Sequence, residues 1–339
     1  MRIVQVVCTS EFAGVERVLT YVAPELARRG HEVTVVGGDP AAMGLPLADA
    51  GVRHVRAANV TEGLAALARG NGARPDLVHS HMTAADLAAV GGRPFHRAPC
   101  VSTLHFAQPR GHSAIRRSLY RVLPSCFREQ IAISRFVADT CGTPTVVIPN
   151  GVPDRAPPGA PREPVVLVAQ RLESEKDTAL ALRIWQRASL RTRGWRLEVA
   201  GRGAERAGLE ALAARLGIDE SVRFLGFVDD VGALMARASV MLATAPAEPF
   251  GLSVVEAMAA GLPVVAADGG AHREVLDSFG DQRFRIGDSD AGAAALERLA
   301  DDQTTRVHVA DAARRRYEEQ YTIEHHVDRL LDVYESVLR

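Results

Sequence analysis

Short runs of apolar residues alternate with helical patterns along this chain of 339 residues, and the whole alternation occurs twice. The predicted strands are 2–8, 33–36, 77–79, 100–104, 130–133 and 146–148 in the first half, and 165–169, 196–200, 222–225, 240–243 and 263–267 in the second. Strands that helices cover on both faces have such continuous apolar runs, because neither face meets water. The sequence therefore predicts an α/β fold with a parallel sheet in each half.

A proline-rich segment separates the two halves. Five prolines fall within residues 153–164, which is typical of a linker. The pattern on either side predicts two doubly wound, Rossmann-like domains that face each other across a cleft. Ligands of open α/β sheets bind beyond the carboxyl ends of the strands. Two such edges facing each other would form a site for two substrates.

Charge and composition exclude several classes of protein. The net charge is -1, whereas nucleic-acid-binding domains are usually basic, so we expect no nucleic-acid partner. The sequence has no run of about 18 apolar residues and no secretory leader pattern, and we expect a cytoplasmic protein. The four cysteines include no C-x-x-C pair, which argues against a zinc site or a disulfide scaffold.

Basic residues are distributed unevenly in two respects. Residues 1–150 carry a net charge of +5 and the remainder a net charge of -6. Of the 40 basic residues, 39 are arginines, and the single lysine is Lys176. A position that stays lysine against this bias suggests a need for a compact ammonium group rather than a planar guanidinium. The alanine- and arginine-rich composition also suggests a bacterium with GC-rich DNA.

Arg171 and Lys176 follow the first predicted strand of the second half. Two cations five residues apart on a loop at a strand end can bind a diphosphate without a metal ion. A solvated charged turn is the alternative interpretation, and spacing alone does not decide between the two.

Two carboxylates, Glu248 and Glu256, flank the start of a predicted apolar helix, 252–260. Glu256 lies inside that helix, where a buried carboxylate needs a hydrogen-bonding partner. Sugar hydroxyls would serve, and so would a structural ion pair with an arginine. The backbone amides of residues 251–253 begin the helix and could bind a phosphate.

Several residues of the first half are candidates for binding. Gly14 begins the first predicted helix, so amides there could face an anion, although a plain strand–helix turn is the alternative. His79 and His81 form a His-x-His pair without a nearby carboxylate, and we predict core or rim histidines rather than metal ligands. His105 follows a buried strand, and we expect it to face the cleft.

Two further motifs have simpler explanations. Asp288-Ser289-Asp290 matches the D-x-D pattern of metal-dependent sugar transfer, yet it precedes an alanine-rich helix and is predicted to cap it. The basic stretch 110–128 could contact a membrane surface, but an ordinary solvated helix, or one that attracts an anionic substrate, is favoured.

Motifs in both halves match one family. They are Ala13–Glu16, Val78–His81, Thr103–His105, Ala132–Ser134, Ile148–Val152, Arg171–Lys176, Ala200–Gly203, Phe224–Val228, Glu248–Ala257, Gly261–Val265 and Gly269–Glu274. Together they resemble family 4 of the retaining glycosyltransferases, which have the two-domain GT-B fold. The specific part of the resemblance consists of Glu248 and Glu256 together with Arg171 and Lys176.

The resemblance implies a role for each matching residue. Arg171 and Lys176 would hold the donor diphosphate, Glu248 would bind hydroxyls of the donor sugar, Glu256 would bind the ribose, and His105 would lie beside the sugar. The other implied donor-binding residues are Gly14, Gly201, Gly203, Phe227, Val228, Phe250, Gly251, Leu252 and Ser253, and the acceptor-side candidates are Phe12, Glu16, His81, Phe106 and Arg110.

The resemblance also implies a domain plan. Residues 1–155 would bind the acceptor and residues 156–321 the nucleotide sugar. An amphipathic helix, 322–339, with Thr322 as its predicted N-cap, would cross back to the first domain. No metal ion or other cofactor is implied, and the chain would act as a monomer or homodimer. Ala13 and Asp177 replace glycines that are usual in the family.

We expect transfer of a hexose or N-acetylhexosamine from a UDP-sugar to a small hydroxylated acceptor, such as an aminocyclitol or another natural-product intermediate. One alternative is transfer from GDP-mannose or a UDP-sugar to an envelope glycan or a lipid. Others are a nucleotide-sugar 2-epimerase of the same fold and a catalytically silent nucleotide-sugar-binding protein. An NAD-linked oxidoreductase is disfavoured, because the G-x-G-x-x-G fingerprint is missing.

Overall fold

The computed structural model describes residues 1–70, 74–107, 122–141, 145–155 and 161–339. These residues divide into two compact units. Unit 1 consists of Met1–Val152 and Thr322–Arg339, and unit 2 consists of Pro153–Tyr321. Arg110, most of the basic stretch 110–128 and residues 156–160 of the proline-rich segment lie outside the described residues.

Unit 1 is an α/β unit with one parallel sheet. Its strands are β1 (Arg2–Val6), β2 (Glu32–Val36), β3 (Arg53–Val55), β4 (Leu77–His81), β5 (Cys100–Leu104), β6 (Glu129–Ala132) and β7 (Val146–Val147). Its helices are α1 (Gly14–Arg28), α2 (Pro40–Asp49), α3 (Val60–Arg69), α4 (Met82–His96), α5 (Arg135–Cys141) and, from the end of the chain, α13 (Ile323–Leu338). The described strands follow the order β3-β2-β1-β4-β5-β6-β7, and all of them pair in parallel.

The last helix, α13, belongs to unit 1. The Thr322 side chain accepts a hydrogen bond from the His325 amide at 3.2 Å, which confirms the predicted N-cap. The amide of Ile323 donates to the Val152 carbonyl at 3.0 Å. His326 Nδ1 lies 2.7 Å from the Pro149 carbonyl, so residues 149–152 anchor the start of the helix.

Unit 2 repeats the same architecture. Its strands are β8 (Val165–Ala169), β9 (Arg196–Ala200), β10 (Val222–Gly226), β11 (Val240–Ala243), β12 (Val264–Ala267) and β13 (Arg283–Phe284). Its helices are α6 (Thr178–Arg187), α7 (Arg206–Arg215), α8 (Val231–Arg237), α9 (Leu252–Ala259), α10 (His272–Val275), α11 (Ser289–Asp301) and α12 (Gln303–Gln320). The described strands pair in parallel in the order β10-β9-β8-β11-β12-β13.

The core of unit 2 explains its continuous apolar strands. Helices α6 and α11 cover the sheet, and their apolar side chains join those of the strands in one cluster. Its fully buried members include Val166, Leu182, Trp185, Leu197 and Leu296. The predicted parallel sheets and two-domain α/β fold are therefore confirmed. In the described ranges, none of the helices combines the length and the apolar composition that a bilayer crossing needs.

Some predicted boundaries were wrong by a few residues. The first strand ends at Val6 rather than at residue 8, and the helix predicted for 178–190 ends at Arg187, where a short 3₁₀ turn, Ser189–Arg193, follows. The predicted cap of the alanine-rich helix is confirmed, because the Asp288 carboxylate accepts from the Ala291 amide at 2.9 Å.

Candidate functional site

Lys176 and Glu248 lie on the loops that follow β8 and β11. These two strands are neighbours, and the order of strands reverses between them. Open α/β sheets bind their ligands at such a reversal, beyond the carboxyl ends of the strands. Lys176 Nζ donates to Glu248 Oε2 at 2.6 Å, and the two side chains are only 16% and 13% exposed. The fold thus joins two of the predicted catalytic residues.

The Glu248 carboxylate is stabilised in its charged form. Burial by itself would raise the pKa of this group, but the ammonium of Lys176, the neighbouring imidazole of His272 and the backbone amide of Gly251 more than offset burial. The pKa of Glu248 therefore lies below its usual value. At neutral pH the site holds an ionised carboxylate and an ammonium in contact.

Three residues that the sequence analysis did not assign to the site support the Lys176 loop. Gln170 Nε2 donates to the Lys176 carbonyl at 3.1 Å, and Thr244 Oγ1 donates to the same oxygen at 3.0 Å. Asp177 has a φ of 45°, a left-handed conformation that favours glycine but that aspartate tolerates. Its carboxylate also caps α6 by accepting from the Leu180 amide at 3.1 Å, which accounts for Asp177 where the family usually has glycine.

Arg171 is placed differently from Lys176. Its side chain is half exposed, and Nη2 donates to Glu175 Oε1 at 2.5 Å within the same loop. An exposed ion pair of this kind contributes little to stability, typically less than about 1 kcal/mol. Arg171 can therefore exchange Glu175 for an anionic ligand at small cost.

Two of the predicted donor-binding glycines are needed for packing. A Cβ at Gly201 would lie 1.9 Å from the Gln170 carbonyl oxygen, and one at Gly203 would lie 2.2 Å from the Leu172 carbonyl oxygen. Only glycine permits this approach. Gly201 and Gly203 thus bring the loop after β9 against the loop that carries Arg171.

The start of α9 contains most of the remaining predicted donor-binding residues. Gly251 is the N-cap and has a φ of 90°, and Leu252 and Ser253 follow it half-buried in the first turn. Glu256 is buried one turn further along. The Phe250 ring is also buried and lies edge-on to Tyr321, with ring centroids 6.1 Å apart.

His272 lies beside this helix start; the sequence analysis included it in the motif Gly269–Glu274 but gave it no role. A Cβ at Gly251 would approach His272 Cδ2 to 3.3 Å. The imidazole is buried, and its Nδ1 lies 3.1 Å from the Ala267 carbonyl. Burial lowers its pKa, although the nearby Glu248 carboxylate opposes the shift. The motif did not indicate a role for this histidine, because its approach to Gly251 depends on how α10 packs against the start of α9.

Phe227 and Val228 follow β10 at the same edge of the sheet. The Phe227 ring is 50% exposed, and the Arg202 guanidinium carbon lies 4.9 Å from its centroid. Val228 is partly exposed. An exposed aromatic ring with a cation above it is a suitable surface for a flat, electron-rich group.

The histidines of unit 1 are buried. His81 has Nε2 2.7 Å from Gln5 Oε1 and Nδ1 3.0 Å from His105 Nε2, so both of its ring nitrogens have partners inside the unit. His79 and His81 lie in the core, which is one of the two predicted placements, and His105 is only 5% exposed. Within the described ranges, no group of three histidine, cysteine or acidic side chains is placed to hold a metal ion.

The remaining candidates of unit 1 are the predicted donor-binding Gly14 and the acceptor-side residues Phe12, Glu16 and Phe106. A Cβ at Gly14 would meet no heavy atom of the described residues within 4 Å. Glu16 is buried, which raises its pKa, and it accepts from the Ala13 amide at 2.8 Å. The Arg17 guanidinium carbon lies 5.7 Å from the centroid of the half-buried Phe12 ring. Phe106, after β5, is 53% exposed.

Two family models match the chain. The model "Glycosyl transferases group 1" matches residues 153–316, and the model "Glycosyltransferase Family 4" matches residues 12–155. The matched ranges nearly coincide with the two structural units.

Curated relatives from mycobacteria are similar over much of the chain. A glycogen synthase of Mycobacterium tuberculosis is 30% identical over 266 residues, which are 72% of this chain and 64% of that protein. The chain thus matches slightly less than two thirds of that relative. A phosphatidyl-myo-inositol mannosyltransferase of Mycolicibacterium smegmatis is 31% identical over 77% of this chain and 71% of that protein.

Solved structures share the whole fold. HepE of Anabaena, in complex with UDP and glucose, superimposes with a TM-score of 0.85 at 20% identity, over 99% of this chain and 100% of that one. A sucrose-phosphate synthase of Thermosynechococcus elongatus has a TM-score of 0.78 at 17% identity, over 99% of both chains.

Proposed function

Because this chain belongs to glycosyltransferase family 4, we propose that it transfers a sugar from a nucleotide diphosphate sugar to a hydroxyl group of a small acceptor, with retention of configuration and without a metal ion. The bond between the sugar C1 and the diphosphate oxygen breaks, and its electron pair leaves with the diphosphate. The acceptor oxygen bonds to C1, and its proton passes to the departing diphosphate.

The observation that carries the proposal is the buried contact between Lys176 and Glu248 at the point where the strand order reverses. Negative charge grows on the diphosphate as the sugar leaves. A buried ammonium stabilises such charge by several kcal/mol at typical values, because little water screens it. The Glu248 carboxylate accepts hydrogen bonds, so it suits the hydroxyls of the sugar.

The other cations and amides of unit 2 support the same ligand. Arg171 can release Glu175 and bind a phosphate oxygen. The backbone amides at the start of α9 are oriented for a second phosphate oxygen. We assign Phe227 and Val228 to the base and Glu256 to the ribose. In unit 1, we assign Gly14 to the diphosphate and His105 to the sugar.

We propose a UDP-sugar that carries a hexose or N-acetylhexosamine as the donor. HepE, which has the same fold, was solved with UDP and with UDP-glucose. This supports UDP as the first nucleotide to test. For the acceptor we propose a small hydroxylated molecule such as an aminocyclitol. The exposed Phe106 ring offers an apolar face for such a ring-shaped acceptor.

A second candidate is transfer of mannose from GDP-mannose to a lipid acceptor. The observation that favours it is the 31% identity to a relative named as a phosphatidyl-myo-inositol mannosyltransferase. Epimerisation of a nucleotide sugar at C2 would need no acceptor. Donor turnover measured with and without acceptors therefore separates transfer from epimerisation.

The first experiment is calorimetric binding of UDP, GDP and dTDP in EDTA, to the wild type and to Lys176→Ala. We expect one diphosphate to bind and its affinity to fall at least about tenfold in the variant, since about 1.4 kcal/mol corresponds to that factor. Arg187→Ala is the matched control, because it removes a cation of an exposed pair with Asp290 on the same unit.

Each proposed feature has an outcome that opposes it. Binding that appears only after Mg²⁺ is added contradicts metal independence. Equal affinity in the wild type and in Lys176→Ala removes this lysine from the diphosphate site. Failure of all three nucleotides to bind contradicts a UDP-, GDP- or dTDP-sugar as the donor.

A further inference from the structure

A cavity lined with arginines lies in unit 2, apart from the residues that we assign to the donor. Its volume is about 410 Å³, which falls within the range of about 300–1,000 Å³ that is usual for small-molecule sites. The residues that line it are Asp268, Arg273, Gly280, Arg283, Phe284, Arg285 and Ile286. Asp268 directly follows β12, and Arg285 directly follows β13. The cavity therefore lies beyond the carboxyl ends of these strands, at the edge where open α/β sheets bind their ligands.

Positive charge exceeds negative charge in this cavity. The lining residues include three arginines and one carboxylate, which leaves a net charge of +2. Arg283 Nη1 donates to Asp268 Oδ1 at 2.7 Å, and Arg273 Nε lies 3.6 Å from the same oxygen. Asp268 is thus shared by two guanidinium groups. The exposed Arg285 has no carboxylate partner in the part of the chain that the structure describes.

Arg283 is the most buried of the three arginines. Its side chain is 19% exposed, compared with 63% for Arg273. Its Nε is buried and has no hydrogen-bond partner among the described atoms. A buried donor without an acceptor costs free energy. An anion that brings an oxygen to this guanidinium would offset that cost.

Only a glycine separates the cavity from the loop that carries Glu248. A Cβ at Gly269 would lie 2.0 Å from the Pro246 carbonyl oxygen on one side and 3.0 Å from Ile286 Cδ1 on the other. The Ala271 amide also donates to the Glu248 carbonyl at 2.8 Å. A ligand in the cavity would therefore lie beside the loop that we assign to the donor sugar.

The strand order places the cavity next in line after the donor. The contacts that we assign to the base, the diphosphate and the sugar follow β10, β8 and β11, which lie in that order across the sheet. Strands β12 and β13 come next. Since neighbouring strands are about 4.8 Å apart, the ends of β11 and β13 are separated by about 10 Å. A phosphorylated sugar or cyclitol can span that separation.

We propose that this cavity binds the phosphate monoester of a small molecule, at a site separate from that of the donor diphosphate. Guanidinium groups bind phosphate oxygens through pairs of parallel hydrogen bonds. Arg285 has no carboxylate to release, and the exposed Arg273 can turn toward the ligand while Asp268 stays paired with Arg283. Ile286, which is 43% exposed, offers an apolar contact for the carbon skeleton.

Two sources supply this chemistry, a phosphorylated acceptor and a separate phosphorylated effector. The choice between them rests on the proposed function, whereas the phosphate site itself does not.

The test of the site is thermal unfolding of the full chain in increasing inorganic phosphate, with sodium chloride adjusted to constant ionic strength. A ligand that binds only the folded state raises Tm as its concentration increases. We expect phosphate to stabilise the wild type. In the arginine variant, Arg273→Gln/Arg285→Gln, we expect the Kd for phosphate to rise at least about tenfold. Both side chains are exposed, so this variant should fold.

The matched control is Arg215→Gln/Arg223→Gln, which removes two exposed arginines from the same unit. It should respond to phosphate as the wild type does. A wild type that phosphate does not stabilise overturns the proposal, and so do equal responses in the arginine variant and this control.

A further variant separates the cavity from the donor site, which also contains cations. Lys176→Ala/Glu248→Gln removes the central ion pair of the donor site. A response to phosphate that persists in this variant and disappears in the arginine variant supports the cavity. A response that disappears here and persists in the arginine variant overturns the proposal, because phosphate then binds at the donor site.

Turnover identifies the molecule that carries the phosphate group. With the donor found by calorimetry, sugars and cyclitols are compared with their phosphate monoesters as acceptors. If the acceptor carries the phosphate, the monoesters have the lower KM, and the arginine variant raises that KM at least about tenfold with KM for the donor unchanged. If an effector carries it, inorganic phosphate changes kcat with an unphosphorylated acceptor, and the arginine variant abolishes this change.

Turnover that responds in neither way overturns a role of the cavity in the reaction. A wild type that turns over no nucleotide sugar contradicts the proposed function instead. The unfolding experiment still decides in that case whether the cavity binds phosphate.

Discussion

The ammonium of Lys176 lies 2.6 Å from the Glu248 carboxylate, and this contact joins the loops after β8 and β11. Because both side chains are largely buried, each lowers the cost of burying the charge of the other. A diphosphate that binds Lys176 and a sugar that binds Glu248 would meet a pair that is already in place. This arrangement gives a physical reason for the only lysine in an arginine-rich chain.

Removing Lys176 should affect both stability and turnover. In Lys176→Ala a buried carboxylate loses its counter-ion, and we expect a loss of about 3 kcal/mol of unfolding free energy. The double variant Lys176→Ala/Glu248→Gln should regain most of it, because no buried charge remains. Urea unfolding of the wild type, both single variants and the double variant measures the coupling free energy between Lys176 and Glu248.

Turnover should not recover with stability. We expect kcat to fall at least about 100-fold in Lys176→Ala and in the double variant, since both lack the cation that we assign to the leaving group. A double variant that is stable and also active would show that Lys176 serves folding alone.

Much of the fold could be predicted because buried parallel strands are continuous apolar runs. The strands β8 and β9 were predicted to the residue. Other elements lack that signal. The edge strands β3 and β13 are two or three residues long and contain Arg53 or Arg283. Helix α12 buries only Val309, Ala313 and Tyr317 among its 18 residues, which is too thin a stripe to predict.

The site was predictable as a set of residues but not as an arrangement. Lys176 and Glu248 were each selected from local patterns, whereas their contact spans 72 positions of the sequence. The bond between Gln5 and Tyr334 spans 329 positions, and neither residue stands out locally. Contacts at such separations depend on how whole sheets and helices pack, which local spacing does not encode.

His326 should make stability depend on pH. Burial lowers the pKa of this imidazole to about 4, although its bond to the Pro149 carbonyl opposes the shift. In the unfolded chain the pKa is about 6.5. Between these values the unfolded state binds more protons, so stability is complete above about pH 6.5 and falls as the pH decreases toward 4.

His326→Gln keeps a donor for the Pro149 carbonyl but removes the titrating group. We expect the wild type to lose up to about 1.4 kcal/mol per pH unit relative to this variant between pH 6.5 and 4. Urea unfolding at several pH values measures the difference. Parallel curves for the two proteins would show that His326 does not contribute to the acid sensitivity.

Gly14→Ala tests whether a ligand approaches the start of α1. A Cβ there meets no heavy atom of the described residues within 4 Å, so the variant should fold. Alanine in place of glycine can even stabilise a helix by up to about 1 kcal/mol. If the donor diphosphate lies against Gly14, the added methyl group should raise KM for the donor about tenfold or more.

Gly208 provides the control for that variant. It lies on α7, and a Cβ at this position likewise meets nothing within 4 Å among the described residues. Gly208→Ala should match Gly14→Ala in thermal stability and match the wild type in kinetics. A normal KM in Gly14→Ala would place the donor elsewhere.

Arg162 should matter for stability and not for chemistry. Its guanidinium donates to the carbonyls of Met235, Ala238, Ala260 and Gly261 at 2.7–2.9 Å. Burial lowers its pKa to about 10, so it remains charged at neutral pH. A cation at the carboxyl ends of α8 and α9 opposes the negative ends of both helix dipoles.

Arg162→Met keeps most of the side-chain length and leaves those carbonyls without their donor. We expect unit 2 to lose about 3 kcal/mol or more, because each unsatisfied buried carbonyl costs about 1–3 kcal/mol and some regain water. Hydrogen exchange of the β8 and β11 amides should accelerate by the factor that corresponds to this loss of stability. The kcat of the folded protein should stay normal. Arg223→Met, at an exposed arginine of β10, should change neither quantity. Equal exchange rates in the two variants would mean that the helix ends do not depend on Arg162.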